Sequence, residues 1–424
     1  MGVEQPVKIL ISAYACEPGV GSEPGKGWNM AREMAKYHQV WVLTWSGRRP
    51  GIEAEISHNP IPNLQVIYYG WFGDWIWRKG VGIYLHYLLW QIRAYFVTRR
   101  LHREVDFDLV HHISYASYWL PTFLPLLPIP FVWGPIGGGE SAPQTFWNDF
   151  SVGDKVYEFL RTLGRWLGER NPFVHLALQR SAVVLAPTED TAQRLYQLGR
   201  EDVRIFLHTA LPQAEINRLA EYQPLESHPV RFISIGRLLH WKGFHLGLQA
   251  FAVAKLDEAE YWIVGDGIER KRLQKLVEEL GIASQVKFWG KLPRDETLRK
   301  LGECHVLVHP SLHDSGGTSC LEAMVAGRPV ICLDLGGPAI LVTDETGCKV
   351  PAHNLDQVVQ DMAKSMTRLV RDPKLRVRLG QAAQKRGSEV FNWQAKGQFY
   401  NQLYEEILAQ SEHGGESNAY PQRT

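Results

Sequence analysis

The chain has 424 residues, 45% apolar and 21% charged, a soluble globular composition too long for one ordinary domain. Its 46 basic and 45 acidic side chains leave a net charge of +1, which excludes a global nucleic-acid footprint, and the composition excludes a disordered or fibrous chain. Five cysteines with no C-x-x-C pair argue against a disulfide frame or zinc site and for reduced thiols in a cytoplasmic chain.

The opening run Lys8–Ser12 is too short for a leader and reads as part of a first strand, Val7–Ala13. A glycine-rich loop, Pro18–Gly25, and a helix over Trp28–Lys36 lead to a second strand at Val40–Thr44, the β-loop-α-β seed of a parallel sheet. Further strands are predicted at Leu64–Tyr69, Asp108–His112, Phe131–Trp133 and Ala182–Ala186. A polar, proline-containing stretch, Gln213–Pro229, separates the halves, and then the rhythm restarts. Strands at Val230–Ile235, Glu260–Val264, Val286–Trp289, His305–Val308 and Pro329–Cys332 alternate with helices at Phe244–Ala254 and Ile268–Leu280. Two consecutive α/β units with parallel sheets are the simplest architecture. No membrane span is expected. Gly80–Val97 is interrupted by His86, Gln91 and Arg93, and Ile113–Val132 by Pro121, Pro125, Pro128 and Pro130.

Several strand ends carry chemistry. In the first half, Gly19-x-Gly21 resembles a dinucleotide fingerprint, but Pro24 stands where its third glycine belongs. What survives is a backbone that an anion can approach and the N-terminus of a following helix. In the second half, Gly236-Arg237-Leu-Leu-His-Trp-Lys242-Gly243 follows a strand directly and sets two cations five residues apart, a pair suited to a diphosphate. Val264-Gly-Asp-Gly267 makes another tight strand-end turn. After His309-Pro-Ser311 comes Asp314-Ser-Gly-Gly317-Thr318-Ser-Cys-Leu-Glu322, followed by Gly327-Arg-Pro329. Its carboxylates can accept hydrogen bonds from sugar or ribose hydroxyls, and its glycines expose N–H groups. Asp106-Phe-Asp108 imitates a D-x-D metal motif, but it lies at the entrance of a strand and reads as a polar strand cap.

Together, in this order, these motifs resemble glycosyltransferase family 4, retaining enzymes of the GT-B fold that use nucleotide sugars. The resemblance covers nearly the whole chain and implies two Rossmann-like domains whose parallel sheets face across a cleft. It implies an acceptor-side domain over 1–212, a connection over 213–229 and a donor domain over 230–392. A terminal helix over 393–410 then packs back toward the first domain, and 411–424 is a disordered tail. Carried over residue by residue, Arg237 and Lys242 hold the donor diphosphate, and Gly21 and Ser22 meet it from the opposite domain. Glu322 binds the donor ribose, while Asp314 and the N–H groups near Gly317 and Thr318 hold the transferred sugar. The family's N-terminal histidine falls on His112, with His111 as the alternate, since strand alternation aims the two at opposite faces. The segment Val132–Glu140 lines the cleft near the acceptor. Asp314 replaces the family's usual glutamate, and Gly316 stands where an aromatic is common, which bears on sugar identity.

The implied reaction moves a sugar from a nucleotide-diphosphate donor to a hydroxyl of a glycan or lipid-linked acceptor, with no metal or other cofactor and no nucleic-acid partner. Arg237, Lys242, Asp314 and His112 are its expected catalytic residues. The rival readings are a Rossmann-type NAD(P)-dependent oxidoreductase and an inactive nucleotide-sugar-binding scaffold. Finally, Trp71–Arg103 carries Trp71, Trp75, Trp77 and Trp90, with six cations (Arg78, Lys79, Arg93, Arg99, Arg100 and Arg103) against Asp74 alone. Aromatics with cations predict contact with an anionic membrane surface, peripheral on the inner face of the membrane, or with a lipid-linked acceptor.

Overall fold

The first strand, Lys8–Ala13, is buried at every residue but its first, the signature of a strand covered on both faces. The computed structural model describes residues 7–70, 82–115, 117–225 and 228–414. They form two compact units: one of residues up to 139, 162–208 and from 393 onward, the other of residues 140–161 and 209–392.

The first unit is built on a seven-stranded sheet: β1 (Lys8–Ala13), β2 (Gln39–Trp45), β3 (Leu64–Tyr69), β4 (Leu109–Ser114), β5 (Phe131–Trp133), β6 (Val183–Ala186) and β7 (Val203–Ile205). All neighbours pair in parallel, in the order β3-β2-β1-β4-β5-β6-β7. The order reverses between β1 and β4, the switch point where doubly wound sheets bind ligands. Around it run α1 (Ser22–Met34), α2 (Arg49–His58), α3 (Gly82–Val105), α4 (Val152–Glu169), α5 (Pro172–Arg180) and α6 (Glu189–Gln197). The division between the units falls within α4.

The second unit repeats the plan with six strands: β8 (Val230–Ile235), β9 (Ala259–Val264), β10 (Val286–Gly290), β11 (Val306–His309), β12 (Val330–Leu333) and β13 (Gly347–Val350). They are parallel in the order β10-β9-β8-β11-β12-β13, with the switch between β8 and β11. Its helices are α7 (Gln213–Ala220), α8 (Phe244–Ala254), α9 (Arg270–Glu279), α10 (Arg294–Gly302), α11 (Thr318–Val325), α12 (Gly336–Leu341), α13 (Leu355–Arg371) and α14 (Pro373–Val390). α13 shows how local sequence sets packing. Asn354 caps it by accepting the Gln357 N–H, and Val358, Val359, Met362, Ala363, Met366 and Leu369 form its buried face.

Three differences from the sequence reading have physical causes. α1 begins at Ser22 rather than Trp28, because Pro24 sits in the first turn, where its missing N–H leaves no intrahelical bond unmade. Residues 140–161 join the second unit, since Ala142, Phe146 and Phe150 are buried in the core built around Phe232, Phe251 and Tyr261. The stretch 213–229 is more than a connection, for it opens with α7, which buries Ile216 and Leu219.

The final helix, α15 (Trp393–Gly414), belongs to the first unit and runs past position 410. Gly397 lets it approach α1 closely, as a Cβ there would meet Glu33 Cγ at 2.4 Å. Lys396 Nζ donates to the Leu207 carbonyl (2.6 Å), and Phe399 stacks on Phe206 at 3.8 Å between centroids. The predicted tail falls mostly on 415–424, outside the described residues, as do Trp71, Asp74, Trp75, Trp77, Arg78 and Lys79. No helix among the described residues is long and apolar enough to cross a membrane.

Candidate functional site

At the switch point of the second unit, the loops after the neighbouring strands β8 and β11 come together. Gly243 has φ +65°, and a Cβ on it would meet the Pro310 carbonyl oxygen at 1.9 Å, so only glycine fits this approach. The Gly265–Gly267 turn after β9 packs as closely: a Cβ at Gly265 would meet the Gly236 oxygen at 1.8 Å. The strand-end glycines therefore hold backbone against backbone and present the side chains between them.

Those side chains form a charged cluster. Lys242 Nζ donates to Asp314 Oδ2 at 2.5 Å, and His309 Nε2 lies 3.2 Å from the same oxygen. Asp314 Oδ1 accepts the N–H groups of Gly316 (3.0 Å) and Gly317 (3.1 Å), fixing the turn that starts α11. Burial opposes the charge on Asp314, but Lys242 and His309 outweigh it and hold the carboxyl well below its ordinary value. Thr209 steadies the turn from outside by donating to the Gly316 carbonyl (2.7 Å). The Gly317 N–H predicted to face a sugar is thus taken by Asp314, whereas the N–H groups of Thr318 and Ser319 begin α11 with no hydrogen bond among the described residues. Arg237 is exposed and makes no ion pair or side-chain hydrogen bond among the described residues.

Glu322, farther along α11, is buried and bonded to Arg294, whose Nη2 donates to its Oε1 at 2.8 Å. The same guanidinium holds Glu215 on α7. Burial pushes the Glu322 carboxyl up, while Arg294 pulls it down and Glu215 adds to the rise. Sequence reading missed Arg294 and Glu215. The missed signal was the fact that a buried carboxylate requires a cation partner. A second cluster backs the loop after β8. His240 Nε2 donates to Glu158 Oε1 (2.9 Å), its Nδ1 lies 3.0 Å from Asp154, and Trp241 stacks between Tyr157 and His313.

The first unit's candidates are placed differently. His111 and His112 do fall on opposite faces of β4, and both are fully buried. The Ser12 carbonyl, 3.1 Å away, sets the His112 proton on Nδ1, so Nε2 accepts from Tyr87 Oη (2.8 Å) and Gln91 Nε2 (3.2 Å). His111 takes the opposite tautomer, donating from Nε2 to the Gly134 carbonyl (2.6 Å) and accepting at Nδ1 from Tyr404 (2.6 Å). Burial pushes His111 down to about 3 and His112 to about 4. His112 thus has no exposed surface and both ring nitrogens engaged within its unit, and its catalytic role stays a proposal that rests on the family resemblance.

Gly21 is the N-cap of α1 and Ser22 its first residue, but the positive end of that helix already has a carboxylate in its first turn. Burial would raise Glu23, yet Lys26, His208 and the Tyr115 N–H hold it down to about 2. The glycines of Val132–Glu140 serve packing: Cβ atoms on Gly134 and Gly139 would meet Leu185 O at 2.3 Å and Thr191 Cα at 2.4 Å. Asp108 is a strand cap, as its Oδ2 accepts the Lys8 N–H at 2.7 Å. No group of three or more His, Cys, Asp or Glu among the described residues could hold a metal ion.

Two doubly wound parallel sheets in succession define the GT-B class of fold. Residues 217–386, all in the second unit, match the family model "Glycosyl transferases group 1". The chain is 33% identical over 230 residues to 2-deoxystreptamine glucosyltransferase of Streptomyces kanamyceticus, covering 53% of this chain and 58% of that relative's length. With the alpha-D-kanosaminyltransferase of the same organism it shares 28% identity over 82% of this chain and 87% of the relative. Sucrose-phosphate synthase from Thermosynechococcus elongatus has a similar fold, with a TM-score of 0.64 over 95% of this chain and 100% of that one, at 17% identity.

Proposed function

We propose that the protein is a retaining glycosyltransferase of the hexosyl type, moving a sugar from a nucleotide-diphosphate donor to a hydroxyl of a glycan or lipid-linked acceptor without a metal ion. The observation that carries this reading is the coincidence of the matched residues with the Lys242–Asp314 ion pair and the exposed Arg237 in the loops after β8 and β11.

The chemistry follows from the charges. When the bond between anomeric carbon and diphosphate breaks, its electron pair goes to a phosphate oxygen. Arg237 offers an open guanidinium for that charge, and Lys242 a second cation. The unbonded N–H groups of Thr318 and Ser319, at the positive end of α11, add fixed dipoles. Asp314 is ionised, so it accepts hydrogen bonds from sugar hydroxyls and does not serve as an acid. Lys242 and Asp314 satisfy each other; a bound donor gives phosphate to the lysine and hydroxyls to the carboxylate. Buried Glu322 accepts from the donor ribose, oriented by Arg294. The acceptor hydroxyl attacks the face from which the diphosphate leaves, as the family resemblance implies; its oxygen bonds to the anomeric carbon and its proton passes to the departing phosphate oxygen. In the first unit, Gly21 and Ser22 remain the candidates for an anion. The relatives named glucosyl- and kanosaminyltransferase support a hexose as the group moved.

The test is a donor panel of UDP-, GDP- and ADP-hexoses, read by nucleotide release with and without acceptor glycans, using the wild type and Arg237→Ala. Loss of one charge-assisted contact is expected to cost about 1.5–3 kcal/mol, roughly tenfold or more in turnover. Wild-type turnover in a folded Arg237→Ala variant rules out this donor site.

A further inference from the structure

Each partner of the Lys242–Asp314 ion pair is preceded in the sequence by an aromatic ring, and the two rings stack on each other. Trp241, before Lys242, lies 5.3 Å from His313, before Asp314, at an angle of 15°. Tyr157 of α4 completes a stack of three, 5.2 Å from Trp241 at 12°. Backbone also joins the two loops, at the Trp241 carbonyl, which accepts the Leu312 N–H (2.8 Å) and the Ser311 hydroxyl (3.3 Å).

Glu158, the next residue of α4, ties both loops through a single oxygen. Its Oε1 accepts from His240 Nε2 at 2.9 Å and lies 3.7 Å from His313 Nε2. The other side of the His240 ring meets Asp154, which is itself held by the Ser151 hydroxyl (2.6 Å), and Phe150 packs edge-on against the ring at 4.8 Å. Every one of these residues belongs to the second unit, the 152–161 part of α4 included. His240, Glu158 and Asp154 are all buried. Burial would raise the Glu158 carboxyl, but His240, His313 and Arg161 hold it down to about 2, so it stays an acceptor. Burying carboxylates is costly, and apolar side chains of similar volume often hold two elements together as well. What a hydrogen bond to a ring nitrogen adds is direction, since it fixes the rotation of the imidazole and of the loop that bears it. Direction matters at this loop, because displacing a positioned group by about 1 Å can cost about a hundredfold.

We infer that Glu158 is a positioning residue of the donor site, aided by Tyr157 and Asp154: through His240, Trp241 and His313 it sets where Lys242 and Asp314 stand toward the donor diphosphate and sugar. The inference rests on the donor site proposed above. The experiment is calorimetric titration of the full chain with UDP, GDP and ADP, in the wild type, Glu158→Ala, Glu158→Gln, Lys242→Ala and Glu158→Ala/Lys242→Ala. The diphosphate that the wild type binds is expected to bind Glu158→Ala about tenfold more weakly, and Glu158→Gln, which keeps an acceptor oxygen, within about threefold of the wild type. In the Lys242→Ala background the Glu158→Ala step is expected to cost less than about twofold, because the group through which Glu158 acts is gone. A merely structural role would instead lower the fraction of chain that binds and the melting temperature, at unchanged Kd. Should Glu158→Ala fail to fold, Tyr157→Leu takes its place in the same cycle; its position is 45% exposed, and loss of the stack is expected to weaken binding about threefold. An unchanged Kd in the folded variant, no rescue by glutamine, or losses that add fully with Lys242→Ala overturn this inference alone. A wild type that binds none of the three diphosphates overturns the donor site and this inference with it.

Discussion

The two units have the same strand order and switch point, yet they use it in opposite ways. In the first, the end of β4 carries His111 and His112, sealed between α15 on one face and α3 on the other, neutral and fully bonded. In the second, the loops after β8 and β11 carry Lys242 and Asp314, paired with each other and partly open, and exposed Arg237. A shared topology thus locates a place where a ligand can bind, and the residues that follow each strand decide whether that place is filled by protein or left charged.

The largest expected effect tests the open site. Asp314→Asn removes the Lys242 ion pair and the charged acceptor for sugar hydroxyls, and turnover is expected to fall by about 2–3 kcal/mol in barrier, roughly thirtyfold to over a hundredfold. Steady-state kinetics with saturating donor checks this, and a loss below threefold would remove Asp314 from the reaction.

Next comes Arg294→Ala, which leaves Glu322 and Glu215 facing each other without a cation. A loss of about 2 kcal/mol in stability is expected, or roughly 4–8 °C in melting temperature. Pairing it with Glu322→Gln should recover part of that loss, since no buried charge then remains. Equal melting of the single and double variants would mean that the pair is not coupled.

The closed site is tested by His112→Gln. Stability is expected to drop by about 1–2 kcal/mol through lost bonds to Ser12 and Tyr87, while kcat per folded molecule stays within a few-fold. A hundredfold loss of kcat at unchanged melting temperature would place His112 in the chemistry. The pH dependence sharpens the point. Burial holds the folded His112 near 4 against an ordinary 6.5, so the unfolded chain binds the extra proton between those values. Its contribution is fully present above about 6.5 and is lost as pH falls toward 4, with a slope of at most about 1.4 kcal/mol per pH unit. His111, and His245 in the second unit, act in the same direction. Urea melts from pH 7.5 to 4.5 should therefore show a shallower decline in His112→Gln than in the wild type.

The smallest expected effect is none: exhaustive EDTA treatment should leave turnover unchanged, because Arg237, Lys242 and the α11 N-terminus supply the charge that the leaving group needs. Loss of activity restored by Mg²⁺ or Mn²⁺ would contradict this.

Much of the second unit was legible in the sequence because its determinants are local. Apolar runs set β8, β9 and β11, and glycines at 243, 265 and 317 mark turns whose geometry disfavours a side chain. The spacing of Asp314 and Glu322 followed from one helix start. What the sequence could not decide was partnership across long separations. Lys242 pairs with Asp314, Arg294 with Glu322 and Glu215, and His240 with Glu158 of α4, each joining residues far apart in the chain. The same cause hid the surroundings of His112. Its position at a strand end was local information, but its burial depends on Tyr87, Gln91 and Ser12, which only the folded sheet and α3 bring to it. The sequence by itself determined which strands form and which charges follow them, since backbone sterics and apolar patterning act over a few residues. The tertiary structure alone decided which of those groups are satisfied and which stay open. That is also why α4, ordinary in composition, braces the loop after β8 only once the fold has brought Glu158 to His240.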